Sequence, residues 1–224
     1  MEPAFSTTRA ISLVIAGAHV VLTPRLRRRL EAIDRAYVVA ADSGARTAFG
    51  LEITPDVVVG DMDSIDPDTL RRLHDEGVPL EHHSRDKDAT DGDLAIERAV
   101  QNGARELILL GFLGGPRLDQ ELASVLLTAR LSVEATLLDG MNECRVLRAD
   151  RVLKWQPEHG EIISLIPLET ARGVCTRGMR WPLTDAVLAR GSTQGVSNEP
   201  IADQVRVELD SGLLMVCRYF PEAT

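Results

Sequence analysis

A chain of 224 residues, 44% hydrophobic and 26% charged, carries enough apolar material for one large core or two modest ones, which excludes a wholly disordered protein. Its formal net charge of -9 opposes a broad footprint on nucleic-acid phosphates, so no nucleic-acid partner is expected. The same charge is compatible with a nucleotide ligand, because metal ions bridge carboxylates to phosphates.

Cys144, Cys175 and Cys217 are widely spaced and form no CxxC or Cys/His cluster, so they read as reduced thiols. Residues Met1 to Thr8 lack the basic start and apolar run of a signal peptide. No apolar stretch approaches the roughly 20 residues of a membrane span. The expectation is a cytoplasmic protein without a membrane partner.

In chain order, Ile11 to Gly17 reads as a buried strand, and Pro24 to Ile33 as a helix with Thr23 at its N-cap. Tyr37 to Ala41 is a second strand, and Val57 to Val59 ends a third. Asp66 and Pro67 open a helix that runs to about Glu76 and stops at Gly77. Pro79 to His83 fits a short strand. Thr90 to Gln101 has helical spacing, Glu106 to Leu110 is strand-like, and Asp119 to Leu131 is again helical. Such alternation predicts a doubly wound, mainly parallel α/β sheet. Beyond about Asp139 strand-like pieces follow one another without long helices: Arg145 to Leu147, Ile162 to Ile166, Val205 to Leu209 and Leu213 to Arg218. The fold class expected is therefore an α/β domain over residues 1–145 followed by a smaller all-β, sandwich-like domain over 146–224.

Acidic residues gather at the predicted strand ends. Asp42 follows the second strand, Asp61 and Asp63 the third, and Asp119 the fifth. Asp86, Asp88, Asp91 and Asp93 crowd the segment before the helix at 90–101. In an open α/β sheet ligands bind beyond the carboxyl ends of the strands, so separate segments bring these carboxylates to one rim. A hard divalent cation bound through oxygen supplies the counter-charge such a rim needs. Gly60 permits close backbone approach, and Gly114-Gly115 forms a turn whose amides suit phosphate. Local capping competes with this reading for any single Asp, and Asp66, before Pro67, fits capping best. Asp86 and Asp93 are expected to be solvated.

Ala-Asp-Ser-Gly-Ala (41–45), Pro55-Asp56 and Gly-Asp-Met-Asp-Ser (60–64) resemble the first acidic motif of the thiamine pyrophosphokinase family. Asp-Lys-Asp-Ala-Thr-Asp (86–91) is similar to its second motif. Gly-Gly-Pro-Arg-Leu-Asp-Gln (114–120), with Ala123-Ser124, is similar to its third. Gly-Met-Arg-Trp-Pro-Leu (178–183) and Gly-Val-Ser-Asn-Glu (195–199) resemble the Gly-Leu-Lys-Trp and Ser-Asn motifs of its β-rich part. These matches keep the family's order from about Ile11 to Arg218. Gln120 and Ser124 stand where many bacterial members have His and Asn.

The resemblance implies transfer of the pyrophosphoryl group of ATP to the hydroxyl of thiamine, with Mg²⁺ as cofactor. It implies metal binding by Asp61, Asp63, Asp88 and Asp91. Catalytic roles fall to Asp61, Asp63, Asp91 and Asp119, and the carboxylate that takes the hydroxyl proton stays open among these, Asp42 and Asp88. Asp42, Lys87, Thr90, Arg117 and Gln120 are expected on the nucleotide, with Arg117 foremost on phosphate. Trp181, Ser197 and Asn198 are expected on thiamine, Trp181 as an aromatic wall for a flat cation. A homodimer with active sites at the subunit interface is implied as well. Two other readings compete. A pyrophosphokinase for another alcohol, such as a hydroxymethylpterin, would not need Trp181 and Ser197-Asn198. A sensor without turnover would not need the full metal set.

Overall fold

The computed structural model describes residues 10–33, 35–86 and 88–221. Its contacts divide the chain into one compact unit ending at Gly140 and a second of Thr128–Arg130 and Met141 onward. The sequence boundary at 145/146 falls inside a strand of the second unit, Asn142–Arg148, which pairs with Leu213–Tyr219 along its whole length.

The first unit holds β1 (Ile11–Ile15), α1 (Pro24–Glu31), β2 (Tyr37–Ala41), α2 (Gly44–Gly50), β3 (Val57–Gly60), α3 (Pro67–Asp75), β4 (Leu80–His82), α4 (Asp91–Gln101), β5 (Glu106–Leu110), α5 (Leu118–Arg130, whose last residues cluster with the second unit) and β6 (Glu134–Leu138). The strands run in the order β4-β3-β2-β1-β5-β6, every neighbouring pair parallel. Both faces of the sheet are dry. Leu13, Ile15, Val38, Ile108 and Leu110 join Leu26 of α1 and Ala48 of α2 in one cluster. Val14, Val39 and Leu109, of opposite parity, are fully buried too. Continuous apolar strands are what a parallel sheet covered on both faces requires.

Local chemistry sets the helix starts. Thr23 caps α1 through Leu26 N, with Pro24 in the first turn. Asp66 caps α3 by accepting from Thr69 N at 2.9 Å and from its hydroxyl at 2.7 Å, so its role is local. Thr90 and Asp93 form a reciprocal capping box at α4, which removes Asp93 from the solvated set.

The second unit holds β7 (Asn142–Arg148), β8 (Val152–Trp155), β9 (Ile162–Pro167), β10 (Ala171–Arg177), β11 (Ala186–Leu188), β12 (Val205–Glu208) and β13 (Leu213–Tyr219). β7-β13-β9 form one antiparallel group and β11-β10-β12-β8 a separate four-stranded antiparallel sheet. The apolar positions of the two groups share a core: Leu147, Ile163, Leu165, Leu214 and Val216 from the first, Val174, Leu188, Val205 and Val207 from the second. β9 alternates half-buried and buried residues, the period expected of a sandwich strand.

Candidate active site

Strand order reverses at β1, which pairs with β2 on one side and β5 on the other. The crevice beyond the carboxyl ends of the strands at that point is where an open α/β sheet takes a ligand. Gly111, which follows β5, has φ +73, and a Cβ there would fall 2.3 Å from Ala16 O, so only glycine lets the two loops meet. Gly114 and Gly115 continue this loop to Arg117, the residue before α5.

The acidic rim stands beside the crevice. Among the described residues, Asp42, Asp61 and Asp91 each offer a carboxylate oxygen, and these oxygens lie within 4.8 Å of one another. Three elements deliver them. Asp42 follows β2, with φ +46 and its N–H donated to Val59 O at 2.9 Å. Asp61 follows β3, and Asp91 is the first residue of α4, placed there by the Thr90 cap. Gly60 makes the gathering possible: a Cβ on it would stand 3.0 Å from Asp42 Cβ and 3.1 Å from Asp91 Oδ1.

Asp42 is the most constrained of the three. It is buried, and its Oδ1 has no hydrogen-bond partner among the described residues. Burial, the largest cause, pushes its carboxyl above the ordinary range; a hydrogen bond from the Ser64 hydroxyl opposes this, and the charges of Asp91, Asp61 and Asp63 add to the rise. Left-handed backbone at Asp42 and at Met62, φ +65, adds local strain to the same loops. Strain, burial and an unsatisfied carboxylate oxygen in one place fit a hard cation bound through oxygen.

The other sequence candidates fall around this group. Asp63 is exposed, donates its N–H to Asp61 Oδ1 at 3.1 Å, accepts from Ser64 Oγ at 2.9 Å and lies 3.4 Å from Arg85. Asp88 is exposed and outside the cluster. Arg117 and Asp119 form a two-pronged ion pair, with Nε to Oδ1 at 2.8 Å and Nη2 to Oδ2 at 2.5 Å. The Arg117 guanidinium holds the Asp119 carboxyl down to about 2. Asp119 therefore stays ionised well below neutral pH and is poorly matched to take a proton there. Gln120 is exposed on the first turn of α5, and its carbonyl accepts from Ser124 Oγ at 2.8 Å. Thr90 spends its hydroxyl on the capping box. Lys87 lies outside the described residues. Arg85 is not singled out by the sequence; its place directly before the acidic run that starts at Asp86 is the available signal.

In the second unit Trp181 is 56% exposed, a large aromatic ring facing outward. Arg180 lies 5.8 Å from its ring centroid and pairs with Glu199 at 2.9 Å. Asn198 is buried, and its amide holds the Trp181 backbone from both sides. Nδ2 donates to Trp181 O at 2.7 Å, and Oδ1 accepts from Trp181 N at 3.1 Å and Glu199 N at 2.9 Å. Its backbone pairs with Ile163 of β9. Asn198 thus fixes the segment that presents Trp181. Ser197 is exposed, with φ +61 and its N–H donated to Ser164 Oγ at 3.1 Å.

Comparison with known proteins bears on both units. The family described as thiamin pyrophosphokinase, catalytic domain, matches residues 30–137, and its vitamin B1 binding domain matches residues 151–214. The chain is 26% identical over 209 residues to the thiamine pyrophosphokinase of Bacillus subtilis, covering 92% of this chain and 96% of the relative. It is 29% identical over 229 residues to thiamine pyrophosphokinase 1 of Oryza sativa subsp. japonica, with 89% and 86% covered. The solved structure of the Bacillus subtilis thiamine pyrophosphokinase has a TM-score of 0.83 at 23% identity, covering 95% of this chain and 99% of that one. That of the thiamin pyrophosphokinase from Geobacillus thermodenitrificans has a TM-score of 0.80 at 25% identity, with 95% and 99% covered. Two family domains in order, over folds of the same kind, lead to one conclusion: the chain belongs to the thiamine pyrophosphokinase family.

Proposed function

We propose that Asp42, Asp61 and Asp91 hold Mg²⁺ for the reaction of this family. The chain is an ATP:thiamine diphosphotransferase: the thiamine hydroxyl attacks the β-phosphorus of ATP, AMP leaves, and thiamine diphosphate forms. The observation that supports the metal reading is the buried Asp42 Oδ1, which lacks a partner among the described residues and belongs to a group of three carboxylates whose oxygens lie within 4.8 Å of one another. When bound, the cation supplies positive charge to phosphate oxygens as negative charge builds on them. The protein's own part is positioning and charge. Arg117, aimed by Asp119 at the mouth of the Gly114-Gly115 loop, contacts phosphate in this reading. Trp181 offers its exposed face to the thiamine rings, with Asn198 holding the Trp181 backbone in place.

Metal binding is directly testable. Mn²⁺ added to the nucleotide-free protein should bind at one site, detected by loss of its free electron-spin resonance signal. Asp42→Asn and Asp61→Asn should each weaken this binding by about 10-fold or more. Unchanged Mn²⁺ affinity in both variants would place the cation elsewhere.

A homodimer is proposed on a separate observation. Along α5, Leu118, Leu122 and Leu126 are 68%, 54% and 57% exposed. Spaced four residues apart, they form one apolar stripe on the helix. The proposed occupant is the same stripe of a second copy, since a two-fold axis makes such a surface self-complementary. Leu122→Glu should convert a dimer to a monomer in sedimentation equilibrium. Wild-type protein that sediments as a monomer at assay concentration would overturn the assembly.

A further inference from the structure

We propose that Cys144 and Cys217 are a dithiol that closes to a disulfide by exchange with a small-molecule disulfide, and that closure is felt at the Ser197 loop. The pair lies outside the acidic rim, and the transfer reaction does not use it.

The placement follows from register. Cys144 of β7 and Cys217 of β13 are direct antiparallel partners, and on the other side Cys217 is the partner of Ser164 on β9. Directly opposed residues point to the same face, so Cys144, Cys217 and Ser164 form one row across three strands. The row ends on the substrate motif, because Ser164 Oγ accepts the N–H of Ser197 at 3.1 Å. Ser197, with φ +61, precedes Asn198, whose amide holds the Trp181 backbone. None of the cysteines is in a disulfide. Opposed Cβ atoms on antiparallel strands lie about 4.5–5.5 Å apart. A disulfide needs about 3.5–4.5 Å. Closure therefore draws the two positions together by about 1 Å. β13 is shared by β7 and β9, so that movement is passed to Ser164.

The order of events follows from access. Cys217 is half-buried and Cys144 is buried, so Cys217 meets the reagent first. A hydrogen bond from Cys144 also holds the Cys217 thiol below its ordinary range, although burial opposes this. The Cys217 thiolate attacks one sulfur of the small disulfide; a mixed disulfide forms and one small thiolate leaves. The Cys144 sulfur then attacks the Cys217 sulfur, the protein disulfide closes and the second small thiolate leaves. Both thiol protons pass to the departing thiolates, and the small disulfide is reduced as the protein pair is oxidised.

The test uses the full chain carrying Cys175→Ser, which removes the third thiol. Its serine keeps an acceptor for the Asp185 N–H now donated to Cys175 Sγ at 3.3 Å. Treatment with oxidised glutathione should remove two hydrogens by intact mass and join the β7 and β13 peptides in a non-reducing digest. Adding Cys144→Ser should stop the reaction at a single glutathione adduct on Cys217. The closed form should show a thiamine KM raised about fivefold or more, an unchanged ATP KM, and full reversal by dithiothreitol. A pair that stays reduced, or that halts at the mixed disulfide with both cysteines present, overturns the proposal. So does a closed form whose thiamine KM is unmoved. The thiamine readout rests on assigning the Trp181–Ser197 region to thiamine. The mass and the digest do not, so failure of that assignment, seen as an unmoved thiamine KM in Trp181→Ala, is distinguishable.

Discussion

Asp61→Asn is expected to lower turnover by about 100- to 1000-fold while leaving the fold as stable as before, or more stable. Asn has the shape of Asp and keeps the Oδ1 that accepts from Asp63 N, so the loop after β3 has no reason to move. The variant loses one negative charge from a site where three carboxylates converge. In the metal-free protein that charge is a burden. Asp42 holds its proton more tightly folded than unfolded, so its ionisation costs stability as pH rises above 3.8 toward the raised folded value. Neutralising Asp61 removes one cause of that shift. The two effects have opposite signs: activity falls, and the melting temperature in chelator at neutral pH stays level or rises. With saturating Mg²⁺ the wild type should gain stability and the variant should gain less. Near-normal turnover of Asp61→Asn at limiting Mg²⁺ would remove Asp61 from the metal site. A large fall in melting temperature would make it a structural residue.

The second large effect concerns thiamine. Trp181→Ala should raise the thiamine KM and leave the ATP KM nearly unchanged. An aromatic face attracts a cation with about 0.5–2 kcal/mol, and the same contact stacks a flat ring. That energy corresponds to roughly 2- to 30-fold in affinity. The ring is 56% exposed, so its removal opens no core cavity and the melting temperature should hardly move. Asn198→Ala should behave differently. It removes hydrogen bonds to the backbone of Trp181 and Glu199 from a buried position, so it should lower both thermal stability and thiamine affinity. Equal weakening of thiamine and ATP in Trp181→Ala, or no weakening of either, would remove Trp181 from the thiamine pocket.

The parallel sheet was readable because its strands are continuous apolar runs. Tyr37–Ala41 and Glu106–Leu110 emerge from the sequence with the bounds seen in the structure. α2 was not, because Gly44–Gly50 is short, begins and ends in glycine, and shows its helical spacing only through Ala45, Ala48 and Phe49. β8 escaped notice as a four-residue strand with Lys154 in its middle. β10 was hidden by an irregularity: its register shifts between Ala171 and Val174, and Gly173 has φ +65, so the alternation breaks within the strand. In the site, sequence order placed Asp42 on the rim but did not rank it above Asp63. The proposed ranking rests on burial, on the left-handed backbone at Asp42 and on the missing Cβ of Gly60, all tertiary properties. Asn198 shows the same limit. Its motif suggests a ligand contact, while the fold engages its amide on neighbouring backbone.

The most direct measurement of the central claim is product analysis with purified protein, thiamine and ATP in excess Mg²⁺. The account predicts AMP and thiamine diphosphate in equal amounts, both abolished by chelator and both strongly reduced in Asp91→Asn. ADP with thiamine monophosphate, or product that persists undiminished in chelator or in Asp91→Asn, would contradict it.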